Sequence, residues 1–245
     1  MRSNIVRFGF GLGLAAGLLV WQVARADTPF LMDGGTFANQ MAIPSMMGRL
    51  EKSHKTIFGE TVEQSLGRSS GGAKRGLSAR PVSFAPVAGV APARALASAY
   101  PPDQRARVEG LFKELLSGYH KLESQFGIPR NDVGGAVAAF LVGSYVAYRD
   151  VDVPDQDFLR LVNQMRQVLA SNADFTRASD AEKQDIYEQM AILGTYMALT
   201  RMALKQQPDA QVERNLQRAA KGYLEQFLKT DADRVQLTES GLVLR

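Results

Sequence analysis

Residues 133–148 hold no charged side chain between Asp132 and Arg149, and they are interrupted by Gly134, Gly135 and Gly143. The stretch is too long for an ordinary strand, and its run of alanine, valine, leucine and phenylalanine has no polar face. A helix that is apolar all round must be enclosed by other elements. The next uncharged stretch, between Gln189 and Arg201, repeats the demand. Two such helices in one chain leave an all-helical bundle as the economical solution, with helices near 131–149 and 180–206 at its centre.

The flanking segments fit as the outer helices. Val108, Leu111, Phe112, Leu115, Leu116, Tyr119, Leu122 and Phe126 follow the i, i+3, i+4, i+7 rule, and Gly127 with Pro129 ends the run. Phe158, Leu161, Val162, Met165 and Leu169 give a third helix one apolar stripe, stopped at Asn172. Ser179-x-x-Glu182 is a capping box that opens the helix to 206. Pro208 stands near the start of a last helix whose stripe is Val212, Leu216, Ala219, Ala220, Tyr223 and Phe227. The expected fold is therefore all-α, a compact bundle of about five helices. A short hairpin is expected after it, from Val235-Gln236-Leu237 and Leu242-Val243-Leu244 around Glu239-Ser240-Gly241. A hairpin alone is marginal in water, so it must dock on the helices.

Gly143-Ser144-Tyr145-Val146-Ala147 echoes Gly194-Thr195-Tyr196-Met197-Ala198. Two copies of one helix pair and a chance match both account for so short a likeness. Gly135, Ala139 and Gly143 lie four apart on one stripe, as do Gly194 and Ala198. Glycine costs a helix about 0.5–1 kcal/mol relative to alanine. Close approach of the two central helices at these glycines would offset that cost.

The amino-terminal 26 residues have another logic. Arg2 and Arg7 precede an apolar stretch over 8–21, and Ala24-Arg25-Ala26 has the small-x-small form of a signal peptidase site. The stretch is shorter than the ~20 residues of a spanning helix. A cleaved signal peptide, a mature start at Asp27, an exported (periplasmic or extracellular) protein and no transmembrane segment in the mature chain are expected. Arg2, Arg7 and Arg25 account for three of the four excess positive charges of the whole chain. What remains is nearly neutral and presents no electrostatic case for nucleic acid. With no cysteine, the protein has no disulfide and no lipid-bearing thiol, and its core alone must hold it.

Between signal and bundle, residues 27–66 read as an arm rich in apolar side chains, among them Phe30, Leu31, Met32, Phe37, Met41, Met46 and Met47, with a short helix over 45–58. Residues 67–99 read as a disordered linker. Glycine, proline, serine and alanine dominate, no acid occurs between Glu63 and Asp103, and no period survives. The helical domain with its tail is then 100–245.

Motifs for chemistry are sparse. The two histidines, His54 and His120, have no partner at metal-ligand spacing. No G-x-S-x-G elbow or phosphate-cradling loop occurs. Asp150, Asp152, Asp155 and Asp157 crowd one loop, but without the glycine and distal glutamate of a calcium loop; a helix cap and solvated carboxylates account for them. Met32, Met41, Met46, Met47 and His54 resemble a Cu(I) donor set, and apolar docking explains them more simply. No catalytic residue, metal or cofactor is thus indicated. The candidate ligand-binding residues are Asn131, Asp132, Tyr145, Glu188 and Tyr196, in a crevice between the two central helices.

The segments Pro129-Arg130-Asn131-Asp132, Ala139-Phe140-Leu141-Val142-Gly143-Ser144-Tyr145 and Tyr187-Glu188-Gln189-Met190-Ala191-Ile192-Leu193-Gly194 resemble a family of uncharacterised secreted proteins of Gram-negative bacteria. The resemblance covers most of the chain beyond the arm and linker. It implies a bacterial source and an envelope or external destination, and no activity. Two functions stay open: a non-enzymatic envelope or secreted protein that binds a protein or cell-envelope partner, and an enzyme or small-ligand binder using the central crevice.

Overall fold

The computed structural model describes residues 44–59, 61–72 and 82–245. The expected signal peptide, the arm before residue 44 and linker residues 73–81 lie outside the described residues. In chain order the elements are α1 (Pro44–Phe58), α2 (Val62–Gly72), α3 (Pro92–Ala97), α4 (Arg105–Phe126), α5 (Val133–Arg149), α6 (Asp155–Ser171), α7 (Ala173–Arg177), α8 (Asp180–Gln206), α9 (Ala210–Leu228), a 3₁₀ turn Ala232–Arg234, and a hairpin of β1 (Val235–Thr238) and β2 (Gly241–Leu244).

Local chemistry explains where these helices start and stop. Asp132 caps α5 by accepting from the Gly134 N–H. Ser179 and Glu182 form the capping box of α8. Asp209 accepts from the Gln211 and Val212 N–H groups at the start of α9. Gly127 closes α4 at φ +62°, the left-handed turn that a glycine takes without strain. At the start of α6 the residue before the helix is Pro154 with no side-chain cap, and Asp155 and Asp157 occupy the first turn instead. There they favour the positive end of the helix dipole.

The uncharged helices are central, as their composition requires. α5 packs on α8, α6 and α9, and α8 packs on α5, α4, α9 and α3. The two cross at their glycines. A Cβ added at Gly143 would overlap the Gly194 carbonyl, and one added at Gly194 would come within 2.5 Å of the Ala139 oxygen. Gly135 departs from the expected stripe: it faces Ile128 and the Tyr119 hydroxyl. Gly134 faces Arg166 on α6. The echoed segments thus meet each other, with α4 along α8 and α6 along α5.

The hairpin docks through its own Val235 and Leu242, which are buried in the core, and through one polar side chain of the bundle. Gln164 of α6 accepts from the Leu242 N–H at 2.7 Å and donates to the Leu242 carbonyl at 3.0 Å. Its amide takes the place of a neighbouring strand at the outer edge of β2. Gly241, at φ +93°, lies so close to the Gln164 amide that no Cβ fits.

Residues 67–72 continue α2, Phe84 is seated on the bundle and residues 92–97 form α3, which corrects the expectation of disorder for those parts of the linker. Phe84, Leu96 and Ala97 are buried, and α3 lies along α4. Low complexity hid a few well-spaced apolar anchors. The described part of the arm is likewise joined to the bundle: α1 packs on α9, and Met46, Leu50, Ile57 and Phe58 are buried. The Nδ1–H of His54 donates to the Phe227 carbonyl at 2.7 Å, serving the carboxyl end of α9.

Candidate functional site

Charge is scarce inside this bundle, so the charged groups that are there stand out. Most gather where α4 turns into α5. Asn131 occupies this turn at φ +62°, and its side-chain amide donates to the Phe84 carbonyl at 3.5 Å. Next to it, Asp132 is wholly buried. One of its oxygens accepts from the N–H groups of Gly134 and Val82, the other from Arg166 Nε at 2.7 Å. Arg166, on the inner face of α6, also donates to Asn163. Asp132 therefore caps a helix, holds residue 82 and neutralises a buried guanidinium at once. Removing either member of such a pair costs about 3–5 kcal/mol.

A second carboxylate sits one turn before the end of α4. Glu123 has no exposed surface. Its Oε1 accepts from the Tyr187 hydroxyl of α8 at 2.7 Å, and its Oε2 faces Arg130 Nη1 at 3.5 Å. Burial pushes the Glu123 carboxyl up to about 7, against the pull of Tyr187 and Arg130. The Tyr187 ring is enclosed by Phe84 (5.3 Å between centroids), Tyr119 (5.7 Å) and His120 (6.3 Å). Burial, followed by the charge of Arg130, lowers the His120 imidazole below its usual range. The Tyr119 hydroxyl is buried beside this group without a hydrogen-bond partner. Chemically the cluster offers a carboxyl that exchanges its proton near neutral pH, linked to a phenol and flanked by a solvent-reaching guanidinium.

The five residues expected to bind a ligand are spread along the central helices. Asn131 and Asp132 belong to the cluster just described. Glu188 is half-buried and accepts from Gln184 Nε2 at 2.9 Å, and burial raises its carboxyl above the usual range. Tyr145 lies thirteen residues beyond Asp132 on α5, roughly 20 Å at the helical rise. Tyr196 is wholly buried past the glycine crossing, with its hydroxyl raised by burial. The structure brings Asn131 and Asp132 together with Glu123, Arg130, Arg166 and Tyr187, which sequence reasoning did not single out. Their signal was present: Glu123 interrupts the apolar stripe of α4 between Tyr119 and Phe126, and Arg166 that of α6 between Val162 and Leu169.

The acidic loop is spent on cations of the same chain. Asp150 and Asp152 accept from Arg201 at 3.0 and 2.9 Å, Lys205 adds to Asp152, and Asp157 pairs with Arg160. Among the described residues no group of His, Cys, Asp and Glu is placed to hold a metal ion, and no helix is long and apolar enough to cross a membrane. No curated protein and no solved structure matches the chain. A match over residues 36–245 does place it: the chain belongs to the family of unknown function DUF6683.

Proposed function

We propose that the protein is exported from a bacterial cytoplasm after loss of residues 1–26 and works in the envelope or outside the cell by binding another macromolecule, without catalysis. The observation that carries the binding reading is how the interior charges are used. Asp132 and Arg166 are engaged with each other, Asp132 also with backbone N–H groups, and buried Arg201 is held by the exposed Asp150 and Asp152, so these charges serve the fold. Export rests on the basic, apolar and small-residue segments of the first 26 residues. The apolar side chains at 30, 31, 32, 37 and 41 are the natural contact for a protein or cell-envelope partner.

Two measurements test this reading. Protein recovered from outside the cytoplasm should begin at Asp27; an intact Met1 in the cytosol overturns export. A photo-crosslinking residue at Phe30 or Phe37 in living cells should give a discrete adduct with an envelope component, and the absence of any adduct overturns the arm as the binding element. The second reading, a small-ligand binder, is favoured by one observation: the buried Tyr119 hydroxyl without a partner, next to Gly135 and the Glu123 carboxyl. A small polar molecule bound there should lose affinity on Tyr119→Phe.

A further inference from the structure

Residues 82–91 form a strap across the end of the bundle where α4 turns into α5. Its attachments are few and specific. The Val82 N–H donates to Asp132 Oδ1, and the Val82 carbonyl accepts from the Val133 N–H at 2.9 Å. Ser83 and Asp132 form an isolated antiparallel bridge. The Phe84 carbonyl accepts from Asn131, and the Phe84 ring lies edge-on to Tyr187. The Val87 N–H donates to Gln184 Oε1 at 2.9 Å. Beyond Phe84 the strap is largely exposed. It has one anchoring ring, and that ring covers the tyrosine that donates to Glu123.

We propose that this strap is a proton-controlled latch, seated over Tyr187 while Glu123 is protonated and released from α8 as Glu123 ionises. The argument is one of linkage. Seating Phe84 on Tyr187 shuts water away from the Tyr187–Glu123 pair, and a carboxylate in a dry site prefers its neutral form. Lifting the strap rehydrates the pair and returns Glu123 towards its ordinary value of 4.5. The seated form thus holds the proton more tightly than the open form. By mass action, loss of the proton favours opening.

Among the described residues, each element packed around Glu123 contributes identifiable groups. α8 presents Tyr187, with Glu188 behind Gln184 and Asp185 paired with Arg49. The turn presents Arg130 and Asp132, α6 presents Arg166, and α4 itself presents Tyr119 and His120. The strap contributes no ionisable side chain. Asp132 and Arg166 neutralise each other. Burial and then the charge of Arg130 lower His120 from 6.5, and Glu123→Gln, which leaves His120 in place, separates its share from that of Glu123. Arg130 favours the ionised form and holds the transition lower than burial alone would.

Hydrogen–deuterium exchange on the full chain tests the latch, with peptides over 82–91 followed at pH 4, 5, 6, 7, 8 and 9. Each is normalised to its own exchange in denaturant at that pH. Protection of the strap should fall by about tenfold for each pH unit between the open form's 4.5 and the seated form's 7 and level off above about 7, since one proton separates the two forms. Glu123→Gln should leave the strap protected across the whole range. Glu188→Gln should keep the wild-type profile, and Arg130→Gln should move the fall to higher pH. Strap amides that exchange no faster than those of 189–197 in α8 would mean that the strap opens only with the whole fold, which overturns the latch. So would a pH-independent wild type, or a pH dependence that survives Glu123→Gln.

Discussion

Glu123 is the residue whose environment is most at odds with its chemistry. Its folded-state carboxyl is near 7 against 4.5 in the unfolded chain. A raised carboxyl contributes stability that is fully present below the unfolded value and is lost as pH rises through the folded one. The difference corresponds to about 3 kcal/mol at most. Glu123→Gln should therefore stabilise the protein by roughly 1–3 kcal/mol at pH 8 and change little at pH 4 to 5. Denaturant melts of both proteins at the two pH values measure this. His54 and His120 act in the opposite sense, because burial lowers both: what they contribute is present above 6.5 and lost as pH falls. Comparing variant with wild type at one pH removes their share. Tyr119 allows a second test at this scale. A buried hydroxyl without a partner costs more than the methine that would replace it, so Tyr119→Phe should raise stability by about 1 kcal/mol. A lower melting midpoint would show that the hydroxyl is satisfied in solution.

At the scale of elements, two contacts decide the packing. The crossing of α5 and α8 has no room for a methyl group at Gly143 or Gly194, where the neighbour is backbone and cannot swing away. Alanine is the better helix former by about 1 kcal/mol, yet Gly143→Ala should destabilise by roughly 1–3 kcal/mol because overpacking outweighs propensity. Lys121→Leu, on the exposed face of α4, should stay within about 0.5 kcal/mol. Thermal melts of the two variants make the comparison, and an unshifted midpoint for Gly143→Ala would refute the close crossing. The second contact is Gln164 with Leu242. Gln164→Leu leaves the buried N–H and carbonyl of Leu242 unpaired, a loss of about 2–4 kcal/mol. Amides of 241–244 should then exchange faster than those of α6.

For the molecule as a whole, the question is how much of the chain one fold requires. Composition draws the boundary at residue 100. Yet Met46, Leu50, Ile57, Phe58, Val62, Phe84 and Leu96 are all buried before it. Each such side chain contributes about 1.5–3 kcal/mol on burial, and together they rival the 5–15 kcal/mol that holds an ordinary domain. A fragment starting at residue 100 should therefore show no cooperative melt, while one starting at residue 44 should melt as a single transition by calorimetry. A cooperative melt of the shorter fragment would restore the boundary at 100.

The amino-acid sequence by itself determined the five bundle helices, the caps at Asp132 and Ser179 and the hairpin, but not the short helices α2, α3 and α7. The former depend on residues three to four apart, or on neighbours such as Ser179 with Glu182 and Asp132 with Gly134. It also determined that two uncharged helices must be central, since no surface position suits them. It did not reveal that Phe84 and residues 92–97 are anchored on the bundle, because a strap held by Phe84 and a few backbone bonds leaves no period to read. Nor did it assemble the site. Asp132 meets Arg166, 34 residues on, and Glu123 meets Tyr187, 64 residues on. Those pairings exist only once α4, α5, α6 and α8 are side by side. Burial, which gives Glu123 its unusual proton affinity, is a property of that packing and of no local stretch of chain.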